Sequence, residues 1–140
     1  MSGPTRISPK EASEKLAEGW IYVDVRTTQE FEAGHPAGAV NVPVRLSTGP
    51  NPDFVRVMNA AFGKDARIIV GCKTGARSLR AAQMLLADGF TQVLDQRAGW
   101  DGVTGPFGNL TEPGWSRVGL PSEQGQPSGR SWEDVRKKVP

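Results

Sequence analysis

The 140-residue chain holds one cysteine, Cys72, and one histidine, His35, so its options for nucleophilic and metal chemistry are few. A single cysteine rules out an internal disulfide, and a structural zinc site needs more ligands than Cys72 and His35 supply. A lone cysteine is commonly a small buried hydrophobe, so a reactive role has to be argued from its surroundings. Cys72 follows the apolar run Ile68-Ile69-Val70 and precedes the helical pattern of Ser78 to Asp88. In open α/β sheets, ligands bind at such strand-to-helix junctions, beside the carboxyl ends of the strands. The backbone N–H groups of Lys73-Thr74-Gly75-Ala76-Arg77 can converge on one point there, with Gly71 and Gly75 allowing a tight path. The helix N-terminus adds its positive pole, and residues 71–80 carry Lys73, Arg77 and Arg80 and no acid. All three effects favour thiolate over thiol, the form in which cysteine attacks.

The elements that must position this loop are legible as alternating strands and helices. Ser8-Pro9-Lys10-Glu11 is a helix start, with a serine cap, proline in the first turn and glutamate closing a capping box. That helix is expected to turn Ala12, Leu16 and Ala17 inward and to stop at Gly19. Ile21 to Val25 is a strand, Thr27 caps a short helix running to Gly34, and Ala39 to Val42 is a second strand halted by Pro43. Asn51 to Phe62 is helical, with Phe54, Val55, Met58 and Phe62 on one face. Ile68–Val70 is the clearest buried strand and Ser78–Asp88 the clearest helix, with Leu79, Ala82, Leu85 and Leu86 inward and Gly89 ending it; Gln92–Leu94 is a last strand. Such alternation argues a parallel sheet covered on both faces. Glycine and proline crowd residues 99–129, which predicts loop, before Ser131 starts a short terminal helix.

Cys72-Lys73-Thr74-Gly75-Ala76-Arg77-Ser78 resembles the active-site loop of rhodanese-type sulfurtransferases. The likeness extends through Val23-Asp24-Val25-Arg26, Glu30-Phe31, Gly34-His35 and Gly38-Ala39-Val40-Asn41-Val42-Pro43, and downstream through Gly89-Phe90 and Val93-Leu94. Near the end, Ala98-Gly99 stands where relatives have a glycine pair, and Trp115 with Gly119-Leu120-Pro121 matches the closing signature. The resemblance implies a single rhodanese-like domain over residues 5–121, an α/β fold with a five-stranded, mostly parallel sheet and helices on both faces. Residues 100–114 look like a loop insertion, and residues 122–140 like an irregular C-terminal extension. The resemblance further implies that Cys72 takes a sulfane sulfur from thiosulfate or a related donor and passes it to cyanide or a thiol. It assigns the sulfur's cradle to the amides of Lys73, Thr74, Gly75, Ala76 and Arg77, with Lys73 and Arg77 as the basic loop positions. No metal or organic cofactor is required by this chemistry.

Two alternatives remain at this stage: a persulfide carrier that serves a partner protein, and an oxyanion enzyme of the phosphatase or arsenate reductase kind. Dual-specificity phosphatases of the same fold have a longer loop between cysteine and arginine; here only four residues, Lys73 to Ala76, intervene, and the smaller cradle suits one sulfur atom. Asp24 and Arg26 are expected to pair and support the strand end near the loop, and Ser78 is a candidate cap of the helix that follows. His35, just before a turn, fits a hydrogen-bonded structural role, and transfer to an ionised acceptor needs no strong base. Arg45, after Pro43-Val44, is either a pocket-rim residue or a solvated one. A net charge of +2 does not suggest nucleic acid as a partner. The first ten residues lack the apolar segment of a signal peptide, and no run reaches the roughly 18–20 apolar residues of a membrane span. The expectation is a cytoplasmic protein that engages neither membrane nor nucleic acid.

Overall fold

Three hydroxyl residues mark where extended chain turns into helix. Ser8 accepts the N–H of Glu11 at 3.1 Å, Thr27 that of Glu30 at 3.3 Å and Ser131 that of Asp134 at 3.2 Å, which supplies one of the free donors each helix start would otherwise leave. The computed structural model describes residues 3–140. In chain order its main elements are β1 (Thr5–Ile7), α1 (Pro9–Ala17), β2 (Ile21–Asp24), α2 (Thr28–Ala33), β3 (Val40–Asn41), α3 (Phe54–Ala61), β4 (Arg67–Gly71), α4 (Ala76–Ala87), β5 (Gln92–Gln96), β6 (Gly102–Thr104), β7 (Leu110–Pro113) and α5 (Trp132–Val135). The first five strands form one parallel sheet in the order β1-β5-β4-β2-β3.

Side chains alternate across this sheet, and each face has its own core. Val23, Ile68 and Val70 face Phe54, Val57 and Met58 of α3, Ala81, Ala82 and Leu85 of α4, and Val135 of α5. Tyr22 and Ile69 face Ala12 of α1, Phe31 of α2 and Trp115. Because all five strands run the same way, their carboxyl ends share an edge. Asp24 of β2 is in register with Gly71 of β4, and Gly71 with Gln96 of β5. Cys72 is the first residue beyond that edge.

The structure departs from the sequence reading in several places. Strand β1 was not visible because Thr5-Arg6-Ile7 buries only Ile7, as expected of an edge strand with one apolar residue. Ala17 is exposed rather than inward, since it lies about 140° around the helix from Ala12 while Leu16 lies near it. Helix α4 begins at Ala76, so Ser78 is inside its first turn, and the cap position is Gly75 with φ +101°. Residues 100–114 are not irregular: β6 and β7 pair antiparallel, with glycine and proline at the turn between them. The chain after residue 121 is packed. Ser122–Glu123 pair with Pro36–His35, Arg130 O accepts the Asn41 N–H at 2.9 Å, and Val135 is buried. This segment therefore covers the outer edge of β3, which would otherwise offer unpaired backbone groups.

The segment after β5 presses directly on the Cys72 loop. Trp100 N–H donates to Cys72 O at 2.8 Å and Asp101 N–H to Lys73 O at 2.9 Å. A Cβ on Gly99, whose φ is +66°, would stand 2.5 Å from Lys73 O and 2.6 Å from Cys72 O. The Gln96 side chain fixes this turn, accepting the N–H groups of Ala98 and Gly99 and donating to Gly99 O, each at 2.9 Å. Gly99→Ala combines a left-handed backbone with a backbone clash, so it should destabilise the protein by about 2 kcal/mol or more in urea unfolding. An unchanged unfolding midpoint would show that the loop and this turn are not in close contact.

Candidate functional site

Building outward from the sulfur, the Gly75 N–H donates to Cys72 Sγ at 3.1 Å, and Ser78 Oγ lies 3.4 Å from the same atom. Ser78 Oγ in turn donates to Gly75 O at 3.3 Å, so the loop and the first turn of α4 close around the thiol. Cys72 is 2% exposed and belongs to the core cluster on the α3–α4 face. Of the loop amides expected to converge, that of Gly75 reaches the sulfur among the described residues. Lys73, Thr74 and Ala76 are exposed on the outer side of the turn. Gly75 is required twice over: its φ of +101° is left-handed, and a Cβ there would overlap Arg97 O. Gly71 serves a different purpose from the one expected, because a Cβ there would overlap the buried hydroxyl of Tyr22. Burial pushes the Tyr22 phenol up, so this hydroxyl stays protonated beside the site.

The charges of the loop are partly taken up by acids from elsewhere in the chain. Arg77 forks onto Glu30, with Nη1 to Oε1 at 2.7 Å and Nη2 to Oε2 at 2.9 Å. Lys73 Nζ lies 3.8 Å from Asp101 Oδ2, both well exposed. Lys73 and Arg77 thus do not act on Cys72 as free charges, in contrast to the sequence reading. Glu30 doubles as the capping glutamate of α2, its Oε1 accepting the Thr27 N–H at 3.1 Å. Sequence exposed that capping role, but the bond to Arg77 joins residues 47 positions apart and leaves no local signal.

Asp24 and Arg26 form the expected buried pair at 2.7 Å, and Arg26 also donates to Gly34 O at 2.6 Å. Asn41 Nδ2 donates to Asp24 O and Arg26 O, both at 3.0 Å, so these side chains hold the end of β2 next to Gly71. Trp100 packs its ring on Gly34 and lies 5.2 Å from the Arg26 guanidinium. His35 is fully buried and stacked on Phe31 at 3.6 Å. Its Nδ1 bonds to Phe31 O of α2 and its Nε2 to Glu123 of the tail, so both ring nitrogens are engaged in structural contacts. No local pattern in the sequence marks Arg6 and Asp95, which lie 89 positions apart. Arg6 Nε donates to Asp95 Oδ2 at 2.7 Å and Arg6 Nη2 to Gly75 O at 3.1 Å, tying β1 and β5 to the loop. Burial raises the Asp95 carboxyl above its ordinary range, opposed by bonding from Ser78 and Arg6.

The β6–β7 hairpin stands beside the loop. Glu112 receives Arg97 at 2.8 and 2.9 Å, and Val103, Thr111 and Glu112 wall a cavity of about 370 Å³ whose other side is Thr74, Gly75, Ala76 and Leu79. Its tip, Phe107, is 94% exposed. Among the described residues no cluster of histidine, cysteine and carboxylate side chains is arranged to hold a metal, and no helix is long and apolar enough to cross a membrane.

A family model described as a rhodanese-like domain matches residues 8–105. Thiosulfate sulfurtransferase 16, chloroplastic, of Arabidopsis thaliana is 39% identical over 124 residues, covering 86% of this chain and 93% of that protein. Senescence-associated protein DIN1 of Raphanus sativus is 42% identical over 69% of this chain, which spans about half of that relative's length (55%). Among solved structures, that of Rv0390 from M. tuberculosis superposes with a TM-score of 0.75 at 29% identity, covering 89% of this chain and all of the other.

The Arg77–Glu30 pair gives the site a pH signature. Bonding from Arg77 is the main cause that holds the Glu30 carboxyl at about 2, against an ordinary 4.5, with burial opposing. A folded value below the unfolded one means the contribution is complete above 4.5 and is lost as pH falls toward about 2. Glu30→Gln should therefore lower the thermal midpoint at neutral pH, and the difference from wild type should shrink through that acid window. A difference that stays constant with pH would contradict the assignment.

Proposed function

Because the chain belongs to the rhodanese-like domain family, we propose that it is a sulfurtransferase in which Cys72 carries the sulfur. The observation that carries this reading is the Gly75 N–H aimed at Cys72 Sγ at 3.1 Å, in the turn between β4 and α4. An N–H held in that position by the rest of the fold stabilises negative charge on sulfur without reorganising during reaction. The name of the Arabidopsis relative supports thiosulfate as the donor class.

In the first step the Cys72 thiolate attacks the outer sulfur of thiosulfate. The sulfur–sulfur bond of the donor breaks, sulfite leaves with the bonding pair, and Cys72 becomes a persulfide. In the second step cyanide or a thiolate attacks the outer sulfur of the persulfide, and the Cys72 thiolate is released. No external oxidant or reductant enters the balance, and dividing the transfer in two predicts ping-pong kinetics. The 2% exposure of Cys72 favours small donors, since a large one has no path to the sulfur without moving the loop.

A second reading is that the acceptor is a thiol on another protein. It is favoured by the β6–β7 hairpin, which walls the cavity beside the loop and carries the exposed Phe107.

Replacement of Cys72 by serine tests the central role. An alcohol is similar in size and a far weaker nucleophile, so Cys72→Ser should retain the fold by circular dichroism and lose thiosulfate-dependent thiocyanate formation. Substantial thiocyanate production by the folded variant would assign the chemistry elsewhere.

A further inference from the structure

The connection between β3 and α3 brings another cation to the flank of α4. Val44 N–H donates to Val25 O at 3.1 Å, Asn51 N–H to Val44 O at 3.0 Å and Asn51 Nδ2 to Pro43 O at 2.8 Å. Between these anchors Arg45–Leu46 pairs antiparallel with Gly49–Pro50, so Arg45 is presented by a short braced ribbon rather than a loose loop. Opposite it, α4 carries Arg77 in its first turn and Arg80 three residues on, a spacing that places both on one side of the helix. With Val44, Pro50 and Asn51, the three arginines line a cavity of about 110 Å³.

Among the described residues no carboxylate lines that cavity. Glu30 compensates Arg77, whereas Arg45 and Arg80 make neither an ion pair nor a hydrogen bond to the protein among the described residues. Two uncompensated guanidinium groups then face one small space and repel, with their forked donors unused. A ligand with two negative charges and several acceptor oxygens removes both defects, because guanidinium–oxyanion bonds are charge-assisted and can be bidentate. The cavity is small, on the scale of a compact ion rather than an extended ligand.

We propose that Arg45, Arg77 and Arg80 form a binding site for a small tetrahedral dianion. The chemistry is shared by sulfate, phosphate and thiosulfate. Thiosulfate connects the site to the sulfur-transfer reading, and this part of the inference rests on that reading. Arg77 belongs to the stretch that follows Cys72, and Val44 is packed in the same cluster as Cys72. A dianionic donor held there sits on the flank of α4, the helix whose first turn closes around the thiol.

The test is calorimetric titration of the Cys72→Ser protein with sulfate, phosphate and thiosulfate in low-salt buffer, with sodium chloride as the control for ionic strength. Arg45→Ala and Arg80→Ala, both at exposed positions, are titrated beside it, and Arg45→Lys tests whether charge alone restores binding. Saturable sulfate binding is expected, weakened about tenfold by each alanine substitution and partly recovered by lysine. Thiosulfate should compete with sulfate for the same site. Absence of saturable binding by any of the three anions, or binding indifferent to both alanine substitutions, overturns the proposal. Arginine-dependent binding of sulfate or phosphate without competition by thiosulfate supports the oxyanion site and overturns its role in donor capture. Arginine-dependent thiosulfate binding, in a chain whose wild-type Cys72 gains no sulfur, supports the site while the sulfur-transfer reading fails.

Discussion

The carbonyls of Cys72 and Lys73 accept N–H bonds from Trp100 and Asp101, and this lateral pairing fixes where the thiol stands. The approach is possible only because Gly75 and Gly99 lack side chains: a Cβ on either would overlap backbone of the other segment. Gln96 rigidifies the 96–99 turn from within, and Arg6 ties Gly75 O to the buried Asp95. The loop is therefore a bridge between strands β4 and β5 and the start of α4, with its geometry over-determined from several sides. Such bracing is what lets one N–H point at a sulfur without a cost at the moment of reaction.

Electrostatics follow from the same arrangement. The basic residues after Cys72 are not a uniform positive field, because Glu30 engages Arg77 and Asp101 approaches Lys73. What remains at the thiol is the short-range contribution of the Gly75 N–H and the start of a twelve-residue helix. Longer-range positive charge is displaced to the flank, where Arg45 and Arg80 border a cavity. An anion site on that flank separates capture of a donor from activation of the sulfur.

Much of this organisation was readable in the chain. The alternation of strands and helices, the Ser8 and Thr27 capping boxes and the Cys72 loop are local patterns, and each stands where the sequence puts it. The misses share a cause. Strand β1 owes its place to pairing with β5, 89 positions away at Arg6 and Asp95, and its own three residues bury one side chain. The Glu30–Arg77 pair, the Gly99 contact and the packing of Val135 are likewise long-range, and no local periodicity encodes them. The β6–β7 hairpin was hidden because its turn residues, Gly105, Pro106 and Gly108, read equally well as irregular loop. Ser78 illustrates the reverse error: serine commonly caps a helix, but the left-handed Gly75 starts α4 earlier and leaves Ser78 buried beside the sulfur.

The most direct measurement is the intact mass of the wild-type protein after brief exposure to thiosulfate without acceptor. The account predicts a gain of one sulfur atom, located on Cys72 by peptide mapping, stoichiometric with the sulfite released and reversed by cyanide. A protein whose mass is unchanged, or which gains sulfur at any residue other than Cys72, would contradict it.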